Sequence, residues 1–292
     1  MRKPQAFDQL CYNMNTGKEF PLHILPDVNF LVSEKQVTFG EHTRPHRINF
    51  YAIIWFTEDG GEHFIDFVAY QIKKDRIYLL AQNQIHSVPA DAVPKARIIV
   101  FSHAFFLSIE DYQLRQLFLP FENQGIDVPL HKVENLQMLF GIILQEYSSY
   151  NNYKLLFQYT SAFLTNLGRL AKQQLPAVVG SDIRLVKVLQ LIHDHFRTNK
   201  QASFYAGEIG LTPKRINEIL RQKAGTSISQ LINQLLLVEG KRALFAGLHT
   251  IKEIAYDLGF SDQSYFSRFF RKHTGMSPEQ FREQYLKEEV LL

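Results

Sequence analysis

The C-terminal third of this chain repeats itself. Gly210-Leu-Thr-Pro-Lys-Arg-Ile-Asn-Glu-Ile-Leu-Arg-Gln-Lys-Ala-Gly225-Thr-Ser227 can be laid over Gly259-Phe-Ser-Asp-Gln-Ser-Tyr-Phe-Ser-Arg-Phe-Phe-Arg-Lys-His-Thr-Gly275-Met-Ser277. The offset is 49 at the first glycine and 50 at the second, so the later copy carries one extra residue in its turn. A short segment with an apolar face precedes each copy, with Ala206 and Ile209 inward in one and Ile251, Ile254, Ala255 and Leu258 in the other. A short helix, a glycine turn and a longer helix make a helix-turn-helix unit, whose first helix braces the second against the major groove of DNA. One such match is common among helical corners. Two in matching register point to duplex DNA as the partner.

Charge gathers in the same region. Residues 1–176 hold 16 Lys+Arg and 17 Asp+Glu, whereas residues 183–282 hold 15 and 8, a net +7. Such segregation is expected when one part of a chain meets a polyanion. On charge alone a solvated basic surface explains it equally, so the repeat decides the reading. At 292 residues the length suits two domains. The lone cysteine, Cys11, excludes a disulfide framework and a multi-cysteine metal site and points to a reducing compartment. No apolar run reaches the roughly 18 residues of a membrane span, and residues 1–8 lack the apolar core of a secretory signal, so a cytoplasmic protein is expected.

Local signals set the helix starts. Thr212 with Pro213 behind it, and Asp262, can each cap a reading helix; Ser227-x-x-Gln230, Thr250-x-x-Glu253 and Ser277-Pro278-x-Gln280 have the capping-box spacing. Between the copies the sequence predicts a helix over about 229–245, roughly 25 Å long. That length can hold two reading helices about one DNA repeat, roughly 34 Å, apart. On the second reading helix Phe266, Phe269 and Phe270 turn inward, leaving Gln263, Ser264, Ser267, Arg268 and Arg271 outside. On the first, Ile216, Ile219 and Leu220 turn inward and Lys214, Arg215, Asn217, Glu218, Arg221 and Gln222 face out. Gln pairs with adenine and Arg with guanine, each good bidentate pair giving about 1–3 kcal/mol of discrimination. Glu218 either accepts from a cytosine amine or lies off the contact face. Arg215, Arg221, Arg271 and Lys272 are assigned to phosphates, where they add affinity and salt dependence but no sequence information.

The first half reads as β structure followed by helices. From residue 29 to 102 it is rich in Phe, Ile, Val and Tyr, and Asp59-Gly60 between two such runs is a hairpin signal. Further short runs at 76–80 and 97–102 complete a small sandwich or barrel. After Glu110 the period changes: Leu136, Leu139, Phe140, Ile143 and Leu144, then Leu155, Leu156, Tyr159, Phe163 and Leu167, predict helices over 131–150 and 153–174. These stripes serve core packing or a homodimer seam. Residues 173–181 read as a helix stop and linker.

Residues 183–285 resemble the DNA-binding domain of the AraC family of bacterial transcription regulators. The match is carried by Thr250-Ile-Lys-Glu-Ile-Ala-Tyr-Asp-Leu-Gly-Phe-Ser-Asp-Gln-Ser-Tyr-Phe-Ser-Arg-Phe-Phe-Arg-Lys-His-Thr-Gly-Met-Ser-Pro-Glu-Gln-Phe-Arg282. The resemblance implies seven helices, two helix-turn-helix units joined by a long helix, and action at promoters, usually as an activator touching RNA polymerase. By position it assigns base reading to Lys214, Asn217 and Glu218 in the first unit and to Gln263, Ser264, Ser267 and Arg268 in the second. The first unit departs from the family pattern, with Lys214 and Arg215 where an aromatic-leucine pairing is commoner and Glu218 where a basic or polar residue is usual.

More loosely, Arg44-Pro-His-Arg-Ile-Asn-Phe-Tyr-Ala-Ile-Ile-Trp-Phe and Gln82-Asn-Gln-Ile-His86 resemble the half-motifs of a cupin-type barrel, which in that family senses a small molecule while helices like 131–150 dimerise. A metal-dependent cupin needs His-x-His, an acid and a later His. Here His42 and His46 are four apart and Ala52 stands near the place of the acid, so neither a metal nor another cofactor is expected. An effector pocket would use His46, Tyr51, Trp55 and His86; a filled barrel is the alternative. The expectation is therefore an α+β chain without enzymatic activity. Residues 1–176 form a cupin-like effector-binding and dimerisation domain, and residues 183–292 an AraC-type domain with helix-turn-helix motifs at 210–225 and 259–275. The competing reading is a metal-dependent cupin enzyme fused to a DNA-binding module.

Overall fold

A computed structural model describes residues 22–23, 29–34, 45–89, 94–119, 123–174 and 183–288. Cys11, His42, Arg44, Glu289 and the linker expected at 176–181 lie outside the described residues. The described residues divide into two compact units, 22–174 and 183–288.

In the first unit the strands are β1 (Leu22–His23), β2 (Phe30–Ser33), β3 (His46–Ile48), β4 (Tyr51–Phe56), β5 (Glu62–Ile65), β6 (Val68–Gln71), β7 (Arg76–Leu80), β8 (Ile85–Ser87), β9 (Ala96–Phe101) and β10 (Ile126–Asp127). They form two sheets, ordered β1-β3-β8-β5-β6 and β10-β7-β4-β9-β2. All six residues of β4 are buried, because this strand lies at the centre of its sheet with packed layers on both sides. Side chains alternate between faces along a strand. Ala52, Ile54 and Phe56 accordingly join Ile48, Ile65 and Tyr78 between the two sheets, while Tyr51, Ile53 and Trp55 enter a second core. That second core is closed by α1 (His103–Ser108), α2 (Tyr112–Gln116), α3 (Leu130–Ser149) and α4 (Tyr153–Gln174). The barrel foreseen in the sequence is thus a pair of facing sheets with a helical layer behind one of them.

The two long helices fall within a residue of their apolar periodicity. Leu136, Phe140 and Ile143 of α3 and Leu156, Phe163 and Leu167 of α4 are buried. Asn152 opens α4, its Oδ1 accepting from Lys154 N and Leu155 N at 3.1 and 3.2 Å. The hairpin expected at 58–61 is not formed: β4 and β5 belong to different sheets, and the Asp-Gly-Gly turn carries the chain from one to the other. The hairpin lies one strand later, between β5 and β6, closed by Asp66 and Phe67 at φ 49° and 69°. Two successive positive φ values suit a tight hairpin. The Asp66 carboxylate is satisfied there by Gln84 Nε2 at 2.8 Å and Ile85 N at 3.2 Å.

The second unit is helical: α5 (Ile183–His195), α6 (Ala202–Glu208), α7 (Pro213–Ala224), α8 (Ile228–Ala246), α9 (Ile251–Asp257), α10 (Gln263–Thr274) and α11 (Pro278–Glu288). The repeat is visible in the backbone. Helices α6 and α9 are both seven residues long at an offset of 49, and α7 and α10 both twelve at an offset of 50. Leu211 N donates to Ala206 O and Phe260 N to Ala255 O, each at 2.9 Å, so the turns begin alike and the extra residue follows. The anticipated caps are formed. Thr212 accepts from Arg215 N and Asp262 from Tyr265 N, and Thr250–Glu253 and Ser277–Gln280 make reciprocal boxes. At Ser227 the box is half formed, since Gln230 reaches the Ser227 hydroxyl rather than its backbone N–H.

Gly210 and Gly259 both take left-handed backbone, at φ +68° and +71°, but their surroundings differ. A Cβ at Gly210 meets open space, whereas at Gly259 it would overlap the Arg197 carbonyl oxygen and lie 3.1 Å from its carbon. Gly210→Ala should therefore cost only the backbone penalty, about 1–2 kcal/mol. Gly259→Ala should cost clearly more, because Arg197 must move as well. Chemical denaturation of the two variants measures the difference, and equal losses would contradict it.

Candidate nucleic-acid interface

The outward faces of α7 and α10 are the candidate surface. On α7, Ile216, Ile219 and Leu220 are buried, and Lys214, Arg215, Glu218, Arg221 and Gln222 are exposed, as the periodicity foresaw. Asn217 is different. Its Nδ2 donates to Pro213 O at 3.0 Å and its Oδ1 accepts from Ile228 N at 3.0 Å, so its amide joins α7 to the start of α8 instead of facing outward. Arg215 and Glu218, one turn apart, form an ion pair at 3.3 Å.

On α10, Phe266 and Phe270 are buried, and Gln263, Ser264, Arg268, Arg271 and Lys272 are exposed. Ser267 and Phe269 are half-buried, Phe269 lying against Phe260 and His273 at 5.2 and 4.7 Å between ring centres. The backbone N–H of Tyr265 holds the capping carboxyl of Asp262 below its ordinary pKa, and that of Thr250 does the same for Glu253. Both caps thus stay ionised at the positive ends of α10 and α9. Behind α10, a Cβ on Gly240 of α8 would lie 3.3 Å from the Phe266 ring, so a missing side chain lets the reading helix seat closely. Tyr265, 50% exposed at the start of α10, is a surface aromatic that the inward-outward pattern left unassigned. Arg271, Lys272 and His273 occupy the last turn, where cations complement the helix dipole.

A helix-turn-helix domain signature matches residues 205–284, the span from α6 to α11. Over 268 residues the chain is 24% identical to the HTH-type transcriptional activator RhaR of Yersinia pseudotuberculosis, covering 88% of this chain and 89% of that one. Residues 205–284 thus carry an AraC-type helix-turn-helix domain, and the chain is homologous to activators of the AraC family. The HTH-type transcriptional activator RhaS of Citrobacter koseri is 25% identical over 171 residues, 59% of this chain and 54% of its own. Among solved structures, ToxT of Vibrio cholerae bound to an unsaturated fatty acid aligns at a TM-score of 0.44 and 18% identity, covering 87% of this chain and 94% of that one. The helix-turn-helix signature and the activator homologues support DNA binding by the second unit of the chain. No helix among its described residues is long and apolar enough to cross a membrane.

In the first unit, the four residues expected to share a pocket are divided by the sheet containing β4. Tyr51 and Trp55 face the helices: Tyr51 stacks on Phe106 at 3.9 Å, and Trp55 lies under the Arg97 guanidinium at 4.9 Å. His46 and His86 face each other across β3 and β8 in the other sheet, their rings 4.2 Å apart. The reason is the alternation along β4, which the spacing of Tyr51 and Trp55 respects but which says nothing of a second sheet. The companion of the two histidines is His63, which lies outside both cupin-like half-motifs. Its Nε2 lies 3.3 Å from His86 Nδ1, and its ring meets Phe56 and Tyr78 edge-on. Among the described residues no group of three or more His, Cys, Asp or Glu is arranged to hold a metal ion.

Burial pushes His63 down to about 3 from an ordinary 6.5, so the folded unit keeps it neutral where the unfolded chain would charge it. Above pH 6.5 both states are neutral and pH has no effect through this group. Between about 6.5 and 3 the unfolded state binds the extra proton, and stability falls as pH falls. His63→Gln should flatten that acid-side decline by up to about 1.4 kcal/mol per pH unit. Parallel unfolding curves at pH 7.5 and 4.5 check it, and an unchanged pH dependence would refute the assignment.

Proposed function

We propose that this protein is a promoter-binding activator of the AraC family, whose second helix-turn-helix unit sets sequence preference while the first chiefly adds affinity. The observation that carries this is the contrast between the reading helices. Helix α10 exposes Gln263, Ser264 and Arg268 in its first two turns. On α7, Asn217 is engaged internally and Arg215 is paired with Glu218. Gln263 and Arg268 are assigned to base edges, with Ser264 and Ser267 beside them; Lys214 is the base-reading candidate of α7, and Glu218 lies off the contact face. Arg215, Arg221, Arg271 and Lys272 contact phosphates.

Binding of the full chain to a duplex selected from a random pool should weaken steeply with salt, as counterion release requires. Arg268→Ala should flatten preference at one or two base pairs, about tenfold or more in discrimination. Asn217→Ala should instead lower the unfolding midpoint while leaving base preference unchanged. Uniform weakening on every sequence by Arg268→Ala would reduce that arginine to a phosphate contact.

In the same reading, residues 22–174 receive a small molecule or a protein partner, and the protein works in the cytoplasm, in contact with RNA polymerase, without catalysing a reaction. The effector acts by favouring one arrangement that engages the promoter. His46 and His86 are its candidate contacts between the sheets, and Tyr51 and Trp55 those on the helical side.

Homodimerisation is assigned to α3. Met138 and Ile142 stand 56% and 43% exposed on one stripe of that helix, with Gly141 beside them opening space for a neighbour. Ile142→Glu should leave the fold intact and convert dimer to monomer in sedimentation. A wild-type monomer at tens of micromolar would remove the seam from α3.

A further inference from the structure

Between α5 and α6 lies the segment 196–200, which reaches α6, α8 and the turn between α9 and α10. The Arg197 guanidinium donates to Glu239 on α8 at 2.7 Å, and Glu239 in turn pairs with the buried Arg242. The Arg197 carbonyl fills the space where Gly259 would otherwise carry a side chain. The Asn199 carbonyl accepts from the Tyr205 hydroxyl on α6, in the first helix-turn-helix unit, at 2.5 Å. Lys200 reaches the other way: its Nζ donates to Gly259 O at 2.5 Å and sits 3.9 Å over the Phe260 ring, both in the turn of the second unit. Phe260 packs against Tyr265, Phe266 and Phe269 of α10, so the turn that Lys200 grips carries the reading helix with it.

We propose that Lys200 is a positioning residue for DNA reading: with Arg197 and Asn199 it straps the second helix-turn-helix turn to the first unit and so fixes the angle and separation of the two reading helices. The inference rests on the DNA-binding reading above. A cation is suited to the task, because it can serve a carbonyl oxygen and an aromatic face at once. The long helix α8 joins the two units through its buried face, with Phe266 of α10 seated against Gly240. The strap adds a second point of attachment, at the turn itself. Its consequence is selectivity for spacing: a rigid pair of reading helices rejects a duplex whose two read segments are moved out of phase.

The test uses the full chain with Lys200→Met, which removes the ammonium and keeps the stem, and Lys200→Arg, which keeps a cation. A duplex selected by the wild type is compared with the same duplex carrying one inserted base pair between the two read segments. The wild type should prefer the uninterrupted duplex by about tenfold or more, a range set by the discrimination of specific complexes. Lys200→Met should shrink that ratio to about threefold or less, and Lys200→Arg should restore it. Simple destabilisation would lower the active fraction on both duplexes and leave the ratio alone. Independently of DNA, spin labels at Glu208 and Asp257, equivalent positions in the two units, placed in a Cys11→Ser background, should give a narrow distance distribution that broadens in Lys200→Met. An unchanged ratio or an unchanged width overturns the proposal. Loss of all duplex binding by the wild type would instead strike the DNA reading, and the distance distribution would still decide the strap.

Discussion

Neither reading helix could stand alone. Each has twelve residues, near the lower limit at which a helix survives in water, and each is braced by a partner of only seven. What holds them is α8, whose Leu231, Ile232, Leu235, Leu236, Leu244 and Phe245 are buried over much of its circumference. A helix apolar on most sides must be surrounded, and the two helix-turn-helix units, with α5 and α11, are what surround it. At Gly240, where a Cβ would come within 3.3 Å of the Phe266 ring, the absence of a side chain gives the second reading helix room to seat. The position of the polar outer faces is therefore a by-product of how the inner faces are covered.

This dependence also explains why the two copies of one motif differ in chemistry. At the α7–α8 junction the chain turns quickly, leaving the first N–H groups of α8 in need of acceptors. Ser227 serves one and Asn217 another. An amide spent in that way is withdrawn from the duplex. At the corresponding place on α10 stands Ser267, half-buried, and the residues around it remain outside. The extra turn residue, Ser261, hydrogen-bonds to the capping Asp262 at 3.1 Å, adding support to the start of the reading helix that the first copy lacks.

Much of this was legible in the residues, for definable reasons. The repeat, the caps and the long helices rest on local chemistry: a hydroxyl and a glutamate three apart, or leucines at helical spacing, act over a single turn. Predictions at 131–150 and 153–174 consequently agree with α3 and α4 almost to the residue. Asp59-Gly60 was misleading because a turn signal marks where the chain bends, while the choice of strand partner is made by distant residues. The proposed pocket residues failed to meet for a related reason. Tyr51 and Trp55 share a face by period two, but His46 enters from another sheet, and no local pattern reports which side of β4 that sheet covers. Asn217 was misread because an outward position on a helical wheel is silent about the neighbouring helix start.

The middle sheet of the first unit is packed on both faces, and this makes it a poor insulator. Its side chains interlock with the histidine-bearing sheet in one direction and with the helical layer in the other, and dense interiors yield by shifting rather than by compressing. Whatever displaces Phe56 or Tyr78 on the inner side must therefore nudge Trp55 or Ile77 on the other, and through them the helices behind. A displacement among the histidines would therefore need no dedicated wire to reach the helical layer, because one sheet packs against both cores.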